Sequence, residues 1–481
     1  MYGIHLLPNR KTEHDGASRG SVNFSKKLYV TDSLPGHKDM KPNNKKGIEN
    51  FEIEGGHKLS GSITTNTSKN GSVGLLCASL LNKGVTTLHG ISNIEEVYRV
   101  IEVLESIGVK VEWIAKQSIR ITPPKVFKME NLDKVAAIKT RSIIMFAGPL
   151  IHHLNNFSLP HAQGCKLGKR TVSAHIYGLE ELGIKTKVTN QNYELSVKKF
   201  KPAEIVMYES GDTACENVLT AASLIPGKTV IKFTSSNYMV QEVCFFLEKL
   251  GVKIEGIGTT TITVHGIKDI NQNIEYWNSE DPIEAMMWIT ATIATNSKLE
   301  IKRCPIEFLE LELYKLKKMG LKYKLSKSYN SKNGRTKLAD LTVMPSKLKA
   351  LDDKIEARPY PGLNIDNLPF FGLIAAVAKG QTLIHDWVYE NRAIYLTELN
   401  RLGGTVLLAD PHRVYIHGPT VFKPAQVVCP PALRPSVVIM LAMLAAPGKS
   451  TLHNVYMINR GYEDITKRLQ SIGAKIKSVK E

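Results

Sequence analysis

The sequence predicts an α/β protein built from two groups of three repeats, with helices packed inside and sheets outside. Three observations carry this. A strand, helix, Gly, strand pattern closes on Gly108, Gly183, Gly251, Gly320, Gly403 and Gly473, roughly every 70 residues. Ahead of each unit lies a segment that is apolar nearly all round, and a helix without a polar face must be buried on every side. The chain has 481 residues, 43% of them hydrophobic, which exceeds one ordinary domain and suffices for sizeable cores.

The elements follow in order. Residues 1–48 are polar, with scattered Gly, Pro, Asn and Lys and no period, and read as a disordered or loosely attached basic extension. "KNGSVGLLCASLL" is the first buried helix. The unit "GVTTLHGISNIEEVYRVIEVLESIGVKVE" after it gives a strand, an amphipathic helix, a Gly C-cap and a second strand. "TRSIIMFAGPLIHH" precedes the weaker unit "FSLPHAQGCKLGKRTVSAHIYGLEELGIKTK", and "ACENVLTAASLI" precedes "GKTVIKFTSSNYMVQEVCFFLEKLGVKIE". "PIEAMMWITATIAT" precedes "SKLEIKRCPIEFLELELYKLKKMGLKYK", "NLPFFGLIAAVA" precedes "GQTLIHDWVYENRAIYLTELNRLGGTV", and "LRPSVVIMLAMLAA" precedes "GKSTLHNVYMINRGYEDITKRLQSIGAKI".

The net charge of +18 favours anionic partners: nucleic acid, a membrane surface or phosphorylated small molecules. No zinc-finger spacing, RNP-like aromatic motif or arginine-rich tract accompanies it, which speaks against nucleic acid. No apolar run reaches the ~18 residues of a membrane span. The first residues lack the apolar core of a signal peptide, so the expected location is the cytoplasm. Six cysteines form no CxxC pair or metal-like spacing, and most lie in apolar runs as reduced core residues. Cys165 differs. In "GCKLGKR" it stands between glycines with Lys166, Lys169 and Arg170 close behind, and positive charge lowers a thiol pKa below its free value of about 8.5.

Six motifs in order carry a family resemblance: "SKNG" at 68–71, "TRSIIMFAGPL", "GCKLGKR", "YPGLNIDNL", "YENRAIYLTELNRLG" and "NRGYEDITKRLQSIGA". Over residues 50–481 the chain resembles the enolpyruvyl transferases, and within them the branch that uses UDP-N-acetylglucosamine as acceptor. The resemblance implies a two-domain inside-out α/β barrel-like fold with the active site in the cleft. Domain I would hold 49–68 and 280–481, and domain II would hold 69–279 with the cysteine loop. It also implies transfer of the enolpyruvyl group of phosphoenolpyruvate to the sugar 3-hydroxyl with release of phosphate, a step of peptidoglycan precursor synthesis. No metal or organic cofactor is implied, and a monomer is expected.

The site residues follow residue by residue. Phosphoenolpyruvate is a carboxylate and a phosphate, and the guanidinium fork meets both with paired hydrogen bonds. Lys69, Asn70, Arg141, Arg170, Arg392, Arg434 and Arg460 are the resemblance's candidates for holding it, with Lys69 near a helix N-terminus that itself favours anions. Cys165, Asp366, Lys69 and Arg460 are its catalytic candidates. Cys165 would give a proton to C3 and can form a covalent adduct, and Asp366 would take the hydroxyl proton while also serving as a possible N-cap of the following helix. Asn70, Arg141, Arg170, Thr171, Ser173, Asp366 and Val388 are expected at the nucleotide sugar.

The sequence departs from the family on that last side. "RTVSAH" places Thr171 and Ser173 where the family has Pro and Asp. "YESGDTACEN" places Glu209 near an expected lysine, "PPALR" has Ala432 for an Asp, and "DPIE" at 281–284 lacks an Arg. Two alternatives therefore stand beside the main reading. One is enolpyruvyl transfer to a different nucleotide or nucleotide sugar. The other is a non-catalytic anion- or nucleic-acid-binding protein on the same scaffold.

Overall fold

Six small sheets and five buried helices alternate along the described residues, 48–162 and 171–480, in a computed structural model. The described residues lie in the unit Lys46–Glu481. The expected extension falls outside them except for the exposed Ile48, as do Cys165 and Arg170.

The sheets form two sets. Three draw all their strands from residues 86–277: Ile274–Trp277 with Thr86–His89, Ser118–Thr122 and Lys110–Ala115; Asn156–Pro160, Asn192–Val197 and Ile184–Val188; and Lys253–Glu255, Thr261–Gly266, Gly227–Lys232 and Glu204–Val206. The other three use only residues before 65 and after 298. In one of them Glu49–Gly55 pairs antiparallel with both Gly448–His453 and Lys475–Lys480, so the first described strand is held by the last.

The apolar segments become the buried helices Lys69–Ala78, Asp212–Ser223, Pro282–Ala294, Leu368–Val377 and Leu433–Ala445, as their lack of a polar face requires. Phe370, Phe371 and Trp288 are fully buried, each such side chain stabilising by roughly 1.5–3 kcal/mol. The Trp288 indole donates to Glu284 Oε1 at 3.1 Å, and that oxygen also accepts from Asn66 N at 2.9 Å and Arg468 Nη1 at 2.7 Å. A carboxylate so supplied with donors can be buried without an orphaned charge. Asp281 of "DPIE" caps the same helix, accepting from Ile283 N at 2.8 Å.

The segment 140–153 was expected as one helix and is not. It runs as a 3₁₀ helix, Arg141–Phe146, followed by a single α-turn, Ala147–Leu150. The cause is Asn217. Its Oδ1 accepts from Gly148 N at 2.7 Å and its Nδ2 donates to Ile144 O at 3.0 Å, the two groups that would otherwise bond to each other in an α-helix. The final unit also departs, breaking into Tyr456–Asn459 and Ile465–Ser471. Between them Gly461 packs so closely that a Cβ there would lie 2.4 Å from Leu433 Cδ2. Among the described residues no helix is long and apolar enough to cross a membrane, and the five described cysteines are buried and free.

Three of the units share one device. A buried helix ends, a glycine with φ near +120° opens the next strand, and that glycine pairs with a second glycine across the sheet: Gly227 with Gly266, Gly380 with Gly418, Gly448 with Gly55. The second glycine lies against the carbonyls at the helix end. A Cβ on Gly266 would stand 2.0 Å from Ile225 O, one on Gly418 2.3 Å from Ala378 O, and one on Gly55 2.1 Å from Met443 O. No rotamer change relieves a clash with backbone. Gly266→Ala is therefore expected to destabilise by about 1–3 kcal/mol, the ordinary cost of overpacking, read as a fall in the urea midpoint at unchanged slope.

Candidate active site

A helix without a polar face can expose polarity only at its ends, and here the N-terminal ends converge. Lys69 and Asn70 open the first buried helix, Arg141 and Ser142 the 3₁₀ segment, Asp212 and Thr213 the third helix, and Leu433 and Arg434 the last, while Asn364, Ile365 and Asp366 lead into Leu368–Val377. All of them line one cavity of about 590 Å³. Unpaired N–H groups at helix starts carry partial positive charge, so their convergence suits an anion before any side chain is counted. Six cationic side chains add to it: Lys69, Arg141, Arg358, Arg392, Arg434 and Arg460.

The sequence's candidates fall into this cavity with few exceptions. Lys69, Asn70, Arg141, Thr171, Asp366, Val388, Arg392, Arg434 and Arg460 all line it. Ser173 does not; it begins the helix Ser173–Glu181 beside the cavity-lining Val172. Cys165 and Arg170 lie outside the described residues.

Asp366 holds the centre. Its Oδ2 accepts from Arg434 Nη2 at 3.1 Å, and its Oδ1 lies 3.9 Å from Arg392 Nη1. Burial raises its pKa, but Arg434, Arg392 and Lys69 together outweigh that and hold the carboxyl below its ordinary range. It does not cap the following helix as expected. Asn367 takes the N-cap position without a side-chain bond, and the Asp366 carboxylate is drawn toward the two guanidiniums instead.

The arginines are themselves anchored. Arg392, 2% exposed, donates through Nε and Nη2 to both oxygens of Asp386, with Nη2 also bonding Ile365 O at 2.9 Å, and its guanidinium stacks 4.2 Å over Tyr389. Arg434, 6% exposed, donates to Tyr462 Oη at 2.7 Å. Lys69 Nζ donates to Glu96 Oε2 at 2.9 Å, and Arg460 Nη2 lies 3.8 Å from the same oxygen. Asn70 Nδ2 donates to Tyr238 Oη at 3.0 Å.

Glu96, Asp386 and Tyr462 were not anticipated from the sequence. In "SNIEEVY" Glu96 looks like an ordinary acid in a helix's first turn, where the dipole favours it. Asp386 stands six residues before Arg392 with no motif to mark it. His175 also lines the cavity, and burial foremost, then Arg141, pushes its pKa down to about 3. It is a neutral ring, accepting from Asn217 Nδ2 at 3.2 Å.

The wall from Glu209 to Glu216 is different in kind. Glu209, Asp212 and Glu216 all line the cavity there. Asp212 accepts from Ser235 Oγ and from Asn237 Nδ2 at 3.1 Å, and its pKa is raised, chiefly by burial. Of the departures seen in the sequence, Thr171, Glu209 and Ala432 line the cavity, whereas Ser173 and the "DPIE" segment do not.

Glu96 offers a direct test of the electrostatics. Burial raises its pKa, and Lys69 and Arg460 more than reverse that, leaving it below its ordinary value of 4.5. A depressed carboxyl stabilises the fold above its unfolded pKa and loses that contribution as pH falls through the folded value. Glu96→Gln is therefore expected to lower Tm at pH 7 and to converge with the unmutated protein only as pH falls through the lowered pKa of Glu96, checked by melting curves across an acid series.

Comparison with known proteins agrees with this geometry. Residues 53–469 match the family described as EPSP synthase (3-phosphoshikimate 1-carboxyvinyltransferase). The UDP-N-acetylglucosamine 1-carboxyvinyltransferase of Bradyrhizobium diazoefficiens is 32% identical over 439 residues, 90% of this chain and 98% of that one. That of Treponema denticola is 31% identical over 89% and 99%. Among solved structures, the enolpyruvyl transferase NikO from Streptomyces tendae superposes with a TM-score of 0.78 at 21% identity, over 90% of this chain and all of that one. EPSP synthase from Acinetobacter baumannii gives 0.70 at 18% identity over the same shares. The fold is the two-domain inside-out α/β barrel type expected from the repeats, and the chain belongs to the EPSP synthase family of enolpyruvyl (carboxyvinyl) transferases.

Proposed function

We propose that the protein transfers the enolpyruvyl group of phosphoenolpyruvate to the 3-hydroxyl of UDP-N-acetylglucosamine and releases phosphate. The observation that carries the reading is Asp366, a carboxylate in a cavity of convergent helix N-termini, held by two guanidiniums that an anionic substrate can claim. Two relatives above 30% identity bear the name of this reaction over nearly their whole length.

The chemistry runs in two stages. In addition, the acceptor oxygen bonds to C2 while its proton passes to Asp366, and C3 takes a proton from a general acid, the role the resemblance gives to Cys165. In elimination, the bond from C2 to the phosphate oxygen breaks, C3 gives up a proton, and the double bond returns. Asp366 is a weak base while Arg434 and Arg392 are turned on it. When the carboxylate and phosphate of phosphoenolpyruvate occupy those guanidiniums, their hold on Asp366 weakens and its pKa rises toward what proton abstraction needs. Lys69 and Arg460 likewise exchange Glu96 for the substrate's charge in part. Asn70, Arg141, Thr171 and Val388 line the acceptor's share of the cavity.

The two sets of sheets support a division into one lobe of 49–68 with 280–481 and another of 69–279.

Phosphate release from phosphoenolpyruvate with UDP-N-acetylglucosamine tests the reading. Turnover is expected in the unmutated protein. Asp366→Asn is expected to lower kcat by roughly 10²–10⁴-fold, the usual contribution of a positioned base. Cys165→Ser is expected to abolish steady release. A well-folded protein that releases no phosphate with this acceptor overturns the assignment of acceptor, and the same assay with other uridine nucleotides then separates a different transferase from a binding protein.

A further inference from the structure

Glu216 lies one turn inside the buried helix Asp212–Ser223, where that helix packs against Lys69–Ala78 and Tyr238–Lys249. It is 2% exposed and yet contributes to the cavity lining. Its Oε1 has no hydrogen-bond partner among the described residues. Other buried acids of the protein are provided for. Glu284 has three donors, Glu242 accepts from Tyr276 Oη at 2.9 Å and Asn333 Nδ2 at 3.1 Å, and Glu312 accepts from Asn367 Nδ2 at 2.8 Å. Room has been made for this carboxyl all the same. Gly74 faces it from the neighbouring helix, and a Cβ there would stand 3.1 Å from Glu216 Oε1.

An unsatisfied buried polar group costs about 1–3 kcal/mol, so a leucine of similar size would serve stability better. The residue stands on the cavity wall from Glu209 to Glu216, where the acids form no ion pair among the described residues. A doubly charged phosphoenolpyruvate belongs with the guanidiniums, and an uncharged polar group suits this wall of acids. We propose that Glu216 is a specificity-determining residue whose carboxyl hydrogen-bonds a hydroxyl or amide of the acceptor. The inference rests on the transferase reading above and names the part of the acceptor that this wall selects.

Its protonation state fits the task. Burial first, and Asp212 second, raise its pKa well above 4.5, so the neutral acid both donates and accepts and does not repel an anionic substrate. The titratable groups coupled to it are Asp212 and Cys215 on its own helix, Cys77 on Lys69–Ala78 and Cys244 on Tyr238–Lys249. Burial pushes all three thiols up, so Asp212 is the neighbour that brings charge. Loss of the Glu216 proton as pH rises through its elevated pKa should weaken acceptor binding.

The test compares Glu216→Leu and Glu216→Gln with the unmutated protein in phosphate release and in calorimetric binding of UDP-N-acetylglucosamine, UDP-glucose, UDP and UMP. Glu216→Leu is expected to raise the acceptor KM at least tenfold, to leave the phosphoenolpyruvate KM within threefold, and to raise Tm by about 2 °C or more as the orphaned acid is removed. Glu216→Gln, which keeps a donor and an acceptor but cannot ionise, should restore binding and abolish the fall in acceptor affinity with rising pH. A lower Tm in both variants with unchanged acceptor KM would mark a structural residue and overturn the proposal. So would unaltered binding and pH profile in all three proteins, while turnover by the unmutated protein left the transferase reading standing. If that protein binds another uridine ligand but not UDP-N-acetylglucosamine, and Glu216→Leu loses it, the acceptor assignment falls and the role of Glu216 stands.

Discussion

Helices that are apolar on every side leave a folded chain few options, and most of this molecule follows from having six such segments. They must be covered all round, so sheets and amphipathic helices lie outside them. Their peptide groups are bonded internally except at the ends. The C-terminal ends run into strands through the paired glycines, whose missing side chains let the sheet close against the last carbonyls. The N-terminal ends, except that of Pro282–Ala294, which Asp281 caps, meet at the cavity. An anion site is then the place where the fold's unsatisfied donors collect, and the arginines and Lys69 strengthen a field that the backbone already sets.

That arrangement creates a difficulty that the carboxylates resolve. Cations at helix starts are disfavoured by the dipole, and burying a guanidinium without a partner is costly. Asp386, Asp366, Tyr462 and Glu96 each relieve part of this. They do so unequally. Arg392 is gripped at both donors by Asp386 and is fixed in place, whereas Asp366 touches Arg434 through one oxygen and Glu96 is shared loosely between Lys69 and Arg460. The first pair is built for position. The others can be exchanged for substrate oxygens at small cost, because one charge-assisted bond replaces another.

Much of this was legible in the sequence, for a physical reason. Periodicity reports burial, so "PIEAMMWITATIAT" and "LRPSVVIMLAMLAA" announced their place in the core, and the closing glycines announced the repeat. Lys69, Arg141 and Arg434, singled out by the family resemblance, stand at the starts of those segments and line the cavity. What stayed hidden depends on contacts between distant residues. Glu96 and Asp386 are ordinary acids until the fold brings Lys69 and Arg392 to them. The break in 140–153 could not be read locally, since Asn217 comes from another repeat. Asp366 was read as a helix cap because its neighbours permit one, and the pull of two guanidiniums from elsewhere in the chain decides otherwise.

The asymmetry of the cavity says how specificity and chemistry are divided. On the cationic side every acid is paired and ionised, and what binds there must bring negative charge to compete. On the side of Glu209, Asp212 and Glu216 no arginine is paired with the acids among the described residues, and burial raises the pKa of the inner two. A ligand spanning both must be charged at one end and rich in neutral hydrogen-bonding groups at the other. Glu209 and Ala432 place an acid and an apolar residue on the cavity lining, while Lys69, Asp366, Arg392, Arg434 and Arg460 line it as well. The reacting end is therefore constrained by the electrostatics of the helix starts, while the acceptor end is free to vary wherever a neutral contact can replace a charged one.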